Sequence, residues 1–362
     1  MTIRYGLIGA GMMGQEHIRN VALLEDAAVT AVADTDDAMR AAAADLAGAR
    51  AHSDHRALLD AEDCDAFILA APNDLHLPLM RDLIDAGKPI LCEKPLATSA
   101  ADCAEMMRLA EGRAPVWVAM EYRYMPPIAR LIAELRKGTA GDPRMVGIRE
   151  HRFPFLHKVG DWNRFNARTG GTLVEKCCHF FDLMRLLLGR DPVRVYATGG
   201  ADVNHREERY HGRVPDILDN AFVCVDFEGG TRAMLDLCMF AEGAEWQEEV
   251  SVAGDVARLE ARVPGPARFS PEGRERHSEF VIETRAEKRP RREIVEVDER
   301  ILRAGDHHGS TFYQHERFRA MVRDGGAPEV GLADGYWSVR VGEAAEESVR
   351  SGSAVDLRDR AA

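Results

Sequence analysis

The sequence predicts two structurally different units, an α/β unit with a parallel sheet followed by an α+β unit with an open, mostly antiparallel sheet. Its 362 residues exceed the size of one typical core. Up to about residue 120, fully apolar segments alternate with helical patterns, which is typical of a parallel sheet covered on both faces. Beyond Pro126 and Pro127, alternating apolar and polar segments separated by short glycine turns indicate antiparallel strands. We place the two units at residues 1–123 and 124–362.

Each predicted element of the first unit is a short run with one clear periodicity. Its strand candidates are continuously apolar and lie at residues 3–9, 28–34, 65–71, 88–93 and 115–120. Its helix candidates repeat apolar residues every three or four positions, at residues 17–25, 37–47, 76–87 and 99–112. Because strand and helix alternate, consecutive strands should run parallel.

The second unit is predicted from helices and from strands with two-residue alternation. The helix candidates lie at residues 128–137, 173–188, 311–323 and 336–350. The strand candidates lie at residues 221–227, 231–240, 248–254 and 256–262, separated by turn sequences such as Glu-Gly-Gly and Ala-Gly-Asp. Alternation of this kind is typical of half-buried strands joined by hairpins.

Composition and charge exclude several classes of protein. A net charge of −13 argues against a nucleic-acid or anionic-membrane partner. The first residues show no secretion leader, and no apolar run approaches the roughly 18 residues that span a bilayer. The seven cysteines are odd in number and lack CxxC spacing, which indicates reduced thiols and a cytoplasmic location. Adjacent Cys177, Cys178 and His179 are too closely spaced for a typical zinc site, so we expect no metal.

A glycine-rich motif lies between the first predicted strand and the first helix. Residues 9–14 read GAGMMG and fit GxGxxG, in which glycine allows a tight turn and lets the backbone approach a pyrophosphate. Asp34 lies 20 residues after the last glycine, where a carboxylate can bind the ribose 2′-hydroxyl. The alternative is that the glycines serve only a turn and that Asp34 caps a helix. The predicted cofactor contacts here are Gly9, Gly11, Met12, Met13, Gly14 and Asp34.

The cofactor preference predicted from this loop is NAD rather than NADP. A carboxylate at Asp34 would repel a 2′-phosphate, and the next three residues supply no arginine to neutralise one.

Two further strand ends should lie on the same rim of the parallel sheet. The stretch PILCEKP, residues 89–95, places Lys94 at the end of a buried strand, with Pro95 favouring extended geometry before it. Ligands bind at the carboxyl ends of such strands, so Lys94 could reach a bound nicotinamide. The loop after residues 65–71 should border the cofactor too, unless Asn73 or Asp74 merely caps the following helix. From these two loops we predict cofactor contacts at Ala71, Pro72, Asn73, His76, Glu93 and Lys94.

A second group of polar residues occurs in the run 170–182. Glu175 and His179 are spaced i, i+4, so a continuous helix would place a carboxylate and an imidazole on one face. Thr172 and Glu175 match a capping box as well, in which the glutamate would only bond backbone at the helix start. A single histidine in an apolar helix is often a core residue, so spacing leaves both interpretations open.

Taken together, these segments resemble the Gfo/Idh/MocA oxidoreductases, the group of glucose-fructose oxidoreductase and inositol dehydrogenase. The resemblance spans nearly the whole chain and rests on the segments GLIGAGMMG, APNDLHLPLMRDLIDAGKPILCEKPLA, GGTLVEKCCHFFDLMRLLLG and HHGSTFYQHERFRAMVRDG. It implies a Rossmann domain followed by an open-sheet domain, with a nicotinamide and a sugar or polyol buried between them. Dimers or tetramers formed through the open sheet are implied as well.

The resemblance assigns roles to three residues. The family's EKP lysine matches Lys94, and its Asp-x-x-x-His pair matches Glu175 and His179. This sequence departs from the pattern, because glutamate replaces the usual aspartate and Cys177 replaces the small residue two before the histidine. We expect His179 to be the general base, Lys94 its electrostatic and proton-relay partner, and Glu175 an orienting group. Further substrate-facing candidates are Arg123, Tyr124, Trp162, Arg164, His307 and His308.

The function implied is NAD-dependent oxidation of a secondary hydroxyl in a sugar, glycoside or cyclic polyol. Sugar or glycoside 3-dehydrogenation is the narrower expectation. One alternative is a family variant that retains NAD and cleaves a glycosidic bond. Another is a non-catalytic dinucleotide sensor, against which the presence of Lys94 and His179 argues.

Overall fold

The computed structural model describes residues 2–270, 273 and 276–358. Its first sheet has six parallel strands, β1 Ile3–Ile8, β2 Ala27–Ala33, β3 Arg50–His52, β4 Ala66–Leu69, β5 Ile90–Cys92 and β6 Val116–Val118. The strand order β3-β2-β1-β4-β5-β6 reverses direction between β1 and β4. Ligands bind at such a reversal, outside the carboxyl ends of the strands.

Five α-helices cover this sheet, α1 Met12–Val21, α2 Asp37–Ala47, α3 His55–Ala61, α4 His76–Asp85 and α5 Ala100–Ala110. The sequence prediction missed β3 and α3. The strand has only three residues, and two of them are exposed, so it lacks the apolar run that reveals its neighbours.

The second sheet has nine strands, β7 Pro143–His151, β8 Pro192–Gly200, β9 Asn220–Phe227, β10 Arg232–Cys238, β11 Glu248–Gly254, β12 Ala257–Val263, β13 Ser278–Thr284, β14 Pro290–Val295 and β15 Val355–Asp356. Their order is β14-β13-β12-β11-β7-β10-β9-β8-β15. Among the described strands of this second sheet, β7 and β10 form the one parallel pair, and the others pair antiparallel. The predicted fold class, a Rossmann domain with an open, mostly antiparallel sheet, is confirmed.

Seven further α-helices belong to the second unit, α6 Pro126–Arg136, α7 Asn166–Thr169, α8 Thr172–Glu175, α9 Cys178–Leu188, α10 Glu299–Leu302, α11 Ser310–Asp324 and α12 Leu332–Ser351. The prediction of one continuous helix at residues 173–188 is wrong. The chain instead breaks at Lys176 and Cys177, between α8 and α9.

Two apolar cores hold the molecule together, one under each sheet. The first core takes in Phe318 of α11 and Val339 of α12 as well as the residues of the parallel sheet. In addition, the amide of Val118 in β6 donates to the carbonyl of Val330, at 3.0 Å. The last helices therefore tie the two halves together, and the boundary near residue 123 stays a prediction.

Among the described helices, none combines the length and the apolarity needed to cross a bilayer.

Candidate active site

The glycine loop after β1 is shaped by backbone crowding. Gly9 has a φ of 94°, and a Cβ there would lie 2.5 Å from the carbonyl of Ala70. A Cβ on Gly14 would lie 2.1 Å from the carbonyl oxygen of Gly9. Gly11 differs, because a Cβ there would meet none of the described atoms within 4 Å. Gly9 and Gly14 therefore allow the turn itself, whereas Gly11 faces open space at the start of α1.

This open space suits the pyrophosphate of a dinucleotide. The helix α1 begins at Met12, and among the described residues no side chain caps its first turn. The free backbone amides at a helix start and the positive end of the helix dipole together bind anions. Gly11, Met12 and Met13 are the residues that would hold the pyrophosphate here.

Asp34 closes the loop rather than capping a helix. Its carboxylate accepts hydrogen bonds from the amide of Ala10 at 2.7 Å and from the amide of Asp36 at 2.8 Å. The cap of α2 is Asp36, which accepts from the amides of Ala38 and Met39. Asp34 thus lies beside the glycine loop, at the carboxyl end of β2, where a ribose would lie.

An arginine lies close to the backbone of Asp34. The guanidinium of Arg40 donates to the carbonyl oxygen of Asp34 at 2.8 Å and pairs with Asp37. Arg40 is one helical turn into α2, beyond the three residues considered from the sequence. One turn of helix is enough to bring this cation back to the strand end.

The end of β5 brings Lys94 to the junction of α8 and α9. Lys94 is partly buried, its peptide bond to Pro95 is cis, and its Nζ donates to the carbonyl oxygen of Glu175 at 3.1 Å. Glu93 lies behind it, accepting from the Lys94 amide at 3.1 Å and lying 3.0 Å from Nε2 of His17. Glu93 therefore holds the end of β5 in place from its buried side.

The helix break gives Lys94 its partner. In a continuous helix the carbonyl of Glu175 would accept from the amide four residues on. Here that carbonyl accepts from the Lys94 ammonium and, at 3.6 Å, from the thiol of Cys178. The start of α8 is not a capping box, because the hydroxyl of Thr172 donates at 2.7 Å to the carbonyl of Leu218 and the carboxylate of Glu175 accepts from Asn73.

The carboxylate of Glu175 has two donors and a further cation nearby. It accepts from the side-chain amide of Asn73 and lies 3.3 Å from Nζ of Lys158, while Lys94 bonds the backbone carbonyl of the same residue. Burial disfavours its charge, but the cations of Lys158 and Lys94 and the hydrogen bond from Asn73 lower its pKa to about 2. Glu175 is therefore an ionised carboxylate at neutral pH.

The side chains of Asn73 and its neighbour Asp74 both bond residues of the second unit. Neither caps α4: Asn73 bonds Glu175, and Asp74 pairs with Arg168, at 2.8 Å.

Lys158 is a residue that sequence reasoning missed. It lies in an irregular segment after β7, where no periodicity marks a side chain. Its Nζ lies 4.5 Å from the centre of the Trp162 ring, which brings this predicted aromatic close to the same carboxylate. Lys158 thus links Trp162 to Glu175.

The side chain of His179 is buried, and its ring is stacked on the ring of Tyr122. The ring centres are 4.0 Å apart and the planes differ by 6°. Among the described residues, no group hydrogen bonds its Nδ1. Burial lowers the pKa of His179 well below its usual value, and the charges of Lys94 and Lys176 lower it further. The imidazole is neutral at neutral pH and can accept a proton.

The pKa of Lys94 is shifted in the opposite direction to the pKa of His179. Burial alone would lower its pKa, but the negative charge of Glu175, with smaller contributions from Cys178 and Glu93, raises it above the usual value. The site therefore combines a neutral imidazole, a cationic ammonium and an ionised carboxylate. Such a set can remove a proton from a hydroxyl and stabilise the oxygen anion that forms.

His76 and the loop before α4 support the EKP segment from behind. The ring of His76 is fully buried, with Nδ1 2.9 Å from the carbonyl of Pro95 and Nε2 3.0 Å from that of Ala71. It therefore bridges the loops of Ala71-Pro72 and Lys94-Pro95, and both its nitrogens face backbone.

Three predicted substrate-facing residues are engaged elsewhere in the fold. Arg123 pairs with Asp182, the hydroxyl of Tyr124 donates to Glu329 at 3.3 Å, and Arg164 donates to Glu208 at 2.9 Å. Arg164 also donates to the carbonyls of Phe155 and Leu156 and so braces the segment that carries Lys158. These contacts do not join Arg123, Tyr124 or Arg164 to Glu175 or His179.

The predicted pair His307 and His308 divides between two environments. His307 lies 2.8 Å from Glu16 and near Glu121; burial opposes its charge, but these carboxylates raise its pKa to about 9. His308 is buried, which lowers its pKa to about 4, and among the described residues its Nε2 has no partner.

In the described part of the chain, no three or more His, Cys, Asp and Glu side chains are arranged to hold a metal ion.

Comparison with known proteins places the chain in a family. Residues 3–121 match the family described as "Oxidoreductase family, NAD-binding Rossmann fold". Residues 133–357 match "Oxidoreductase family, C-terminal alpha/beta domain", which alone covers more than half of the chain. The chain belongs to the Gfo/Idh/MocA oxidoreductases. The predictions of an oxidoreductase and of a nicotinamide cofactor are thereby confirmed.

Several members of the Gfo/Idh/MocA family are similar along most of their length. Inositol 2-dehydrogenase 2 of Saccharopolyspora erythraea is 29% identical over 98% of this chain and 95% of its own. Inositol 2-dehydrogenase of Pseudomonas fluorescens is 31% identical over 72% of this chain and 74% of its own. The structure of levoglucosan dehydrogenase with NADH and levoglucosan has a TM-score of 0.82 at 20% identity, covering 99% of this chain and 100% of that one. The last likeness is one of fold.

Proposed function

We propose that this protein is an NAD-dependent dehydrogenase that oxidises a secondary hydroxyl of a sugar, glycoside or cyclic polyol. The observation that carries the proposal is the meeting of Lys94, Glu175 and a neutral His179 at the carboxyl edge of β5. The names of the relatives support the substrate class, since two of them are inositol 2-dehydrogenases by their descriptions. Oxidation of a glycoside or sugar at C3 is our narrower proposal.

Each residue of the site has one task in this reaction. The nicotinamide, when bound, accepts the hydride from the carbinol carbon. His179 accepts the hydroxyl proton, because its ring is neutral and its Nδ1 is without a partner among the described residues. The ammonium of Lys94 donates to the hydroxyl oxygen and stabilises its developing negative charge. Glu175 accepts from a neighbouring hydroxyl and orients the ring.

The presence of glutamate at position 175 bears on substrate choice. Its side chain is one methylene longer than the family's aspartate, and Lys158 and Asn73 hold its carboxylate. The hydroxyl that it accepts from would therefore lie at a different depth than in the inositol enzymes, and the substrate need not be an inositol.

A panel of sugars, glycosides and inositols tests the proposal. Purified protein with NAD and the correct substrate should produce NADH, measured by absorbance at about 340 nm. Release of free sugar from a glycoside without net NADH would instead favour an NAD-retaining glycosidase. Binding of NAD with neither reaction across the panel would favour a dinucleotide sensor.

Replacement of Asp34 by serine should weaken NAD binding and relax discrimination against NADP. The carboxylate is the predicted contact of the ribose hydroxyls, and a hydrogen bond to a charged group contributes about 1.5–3 kcal/mol, or roughly tenfold to a hundredfold in affinity. With the carboxylate gone, Arg40, which bonds the backbone carbonyl of Asp34, is the cation that we expect to pair with a 2′-phosphate. Dissociation constants for both cofactors, from fluorescence titration, measure the change.

The double variant Asp34→Ser/Arg40→Ala is the matched comparison. It should lose the gain in NADP affinity that the single variant shows, since the cation is removed. If Asp34→Ser leaves the preference between the two cofactors unaltered, Asp34 is not the ribose contact.

We also propose that the protein forms a homodimer or homotetramer through the open face of the second sheet. Three large apolar side chains on adjoining strands are exposed there, Tyr196 by 47%, Phe222 by 56% and Met234 by 46%. Tyr196 and Met234 both lie opposite Cys224 in the strand register, so they form one continuous row. Exposed apolar patches of this kind commonly mark interfaces. Light scattering of the purified protein would show the assembly, and a monomer at micromolar concentration would contradict it.

A further inference from the structure

A buried polar cluster lies next to His179, where β7 and β11 face the junction of α8 and α9. It consists of Tyr122, Glu150, Lys176 and Glu248, and we call it the anchor cluster. All four side chains are buried, and Glu150 and Glu248 stand opposite each other in the strand register. The proposed reaction does not use any of them directly.

The contacts of the anchor cluster fix the position of one aromatic ring. Nζ of Lys176 lies 2.8 Å from a carboxylate oxygen of Glu150 and donates to the hydroxyl of Tyr122 at 2.6 Å. The same hydroxyl donates to Glu248 at 3.4 Å. The Tyr122 ring is thereby held at its outer end, and its face is stacked on His179.

Stability does not account for such a cluster. For a buried ion pair, the free-energy cost of desolvation is about as large as the gain from the attraction between the two charges. Apolar residues of similar size often stabilise a protein at least as well. The second carboxylate makes this site costlier still: burial raises the pKa of Glu248 to about 7, and the nearby charge of Glu150 contributes. The arrangement calls for a role beyond holding the sheet to the helices.

We propose that Lys176 is a positioning residue for His179, fixing the imidazole plane through Tyr122 and favouring the neutral ring through its own positive charge. This inference rests on the proposed function, because it concerns the same site. It predicts that the two partners of the ion pair act on His179 in opposite directions. Lys176 disfavours the imidazolium, whereas Glu150 offsets the charge of Lys176.

The largest electrostatic effects on His179 come from positive charges. The groups that act on its ring from the surrounding elements are Lys94, Lys176, His307 and Arg152, in addition to burial itself. Tyr122, which stacks on the ring, is a neutral phenol because burial raises its pKa. Arg152 lies 3.6 Å from Glu150, so this carboxylate keeps a cationic partner when Lys176 is replaced.

The test compares Lys176→Gln with Glu150→Gln in the full-length protein. The readout is the titration midpoint of the His179 Cε1–H NMR resonance, which is assigned by its loss in His179→Asn. We expect Lys176→Gln to raise this midpoint by about half a pH unit or more, and Glu150→Gln to lower it. Lys176→Arg keeps the charge and should stay near the unmodified protein.

These outcomes separate the inference from a structural role. A structural ion pair would give shifts of the same sign, or none, in the two glutamine variants, and either result would overturn the proposal. If Lys176→Gln does not fold, a midpoint in Glu150→Gln at or above that of the unmodified protein would overturn it. NMR titration needs no substrate, so a protein that oxidises no polyol would contradict the proposed function while leaving this test intact.

With a substrate in hand, kcat/KM adds a second readout. The acid limb of its pH profile should follow the NMR midpoints, upward in Lys176→Gln and downward in Glu150→Gln. Tyr122→Phe keeps the stacked ring and loses only the hydroxyl, whereas Tyr122→Leu loses the stack. If both variants lower kcat equally while the stability is unchanged, the stack does not position His179.

Discussion

Replacement of Lys94 by alanine is expected to lower turnover at least about a hundredfold, the contribution of a positioned acid-base group. NAD affinity should change little, because the pyrophosphate and ribose contacts predicted at Gly11 and Asp34 lie on other loops of the rim. The expected loss of turnover has an electrostatic cause. The Lys94 ammonium is the cation at the end of β5, and its raised pKa keeps it charged through the neutral range. Steady-state kcat and a titration with NAD measure the two effects.

Lys88→Ala is the matched control for Lys94→Ala. Lys88 lies just before β5, at the opposite end of the same strand, and pairs with the exposed carboxylate of Asp63. Its removal should leave kcat within about twofold, since surface ion pairs contribute little. Thermal unfolding of both variants shows whether loss of the bond from Lys94 to the Glu175 carbonyl affects the fold. Unchanged turnover in folded Lys94→Ala would remove this lysine from the mechanism.

The first sheet and its ligand-binding rim could be predicted because their signals are local. Gly9 and Gly14 face constraints set by atoms a few residues or one strand away, and β1, β2, β4, β5 and β6 are apolar runs. Chain order alone then brings their carboxyl ends to one edge. For the same reason β3 was missed, because a short, exposed strand has no such run.

The helix break could not be predicted, because apolar periodicity continues across it. The apolar pairs 173–174, 177–178 and 180–181 recur every three or four residues, so the pattern at 173–188 fits an unbroken helix. The freed carbonyl of Glu175 finds its donor in Lys94, 81 residues earlier in the chain. A contact of that sequence separation leaves no trace in a local pattern. The i, i+4 spacing of Glu175 and His179 therefore selected these two residues on the basis of a local structure that the chain does not have.

The direction of individual side chains was the other feature that could not be predicted from the sequence. Tyr122 and Arg123 are neighbours in the same short turn, yet Tyr122 stacks on His179 while Arg123 pairs with Asp182. The resemblance to known enzymes suggested Arg123 and passed over Tyr122. Lys158 was missed likewise, because the irregular segment that carries it has no period from which an inward face could be inferred. Such directions depend on packing between the two units.

Replacement of His179 by asparagine is expected to lower kcat about a hundredfold to ten-thousandfold, the range for loss of a general base. Asparagine keeps a polar side chain of smaller size but cannot accept a proton at neutral pH. In the proposed mechanism, oxidation requires the neutral imidazole, and burial together with Lys94 lowers the pKa of His179. The protonated fraction therefore becomes large only at a pH well below the usual value of about 6.5.

The pH profile of kcat/KM consequently distinguishes His179 from an ordinary histidine. It should stay flat from neutral pH to well below about 6.5 and then fall as His179 gains a proton. In His179→Asn this acid limb should vanish together with most of the activity. His55→Asn is the control, since His55 pairs with Asp82 on the outer helices of the first unit and should leave rate and profile unchanged. An acid limb that survives in His179→Asn would mean that another group accepts the proton, and His179 would lose the proposed role of general base.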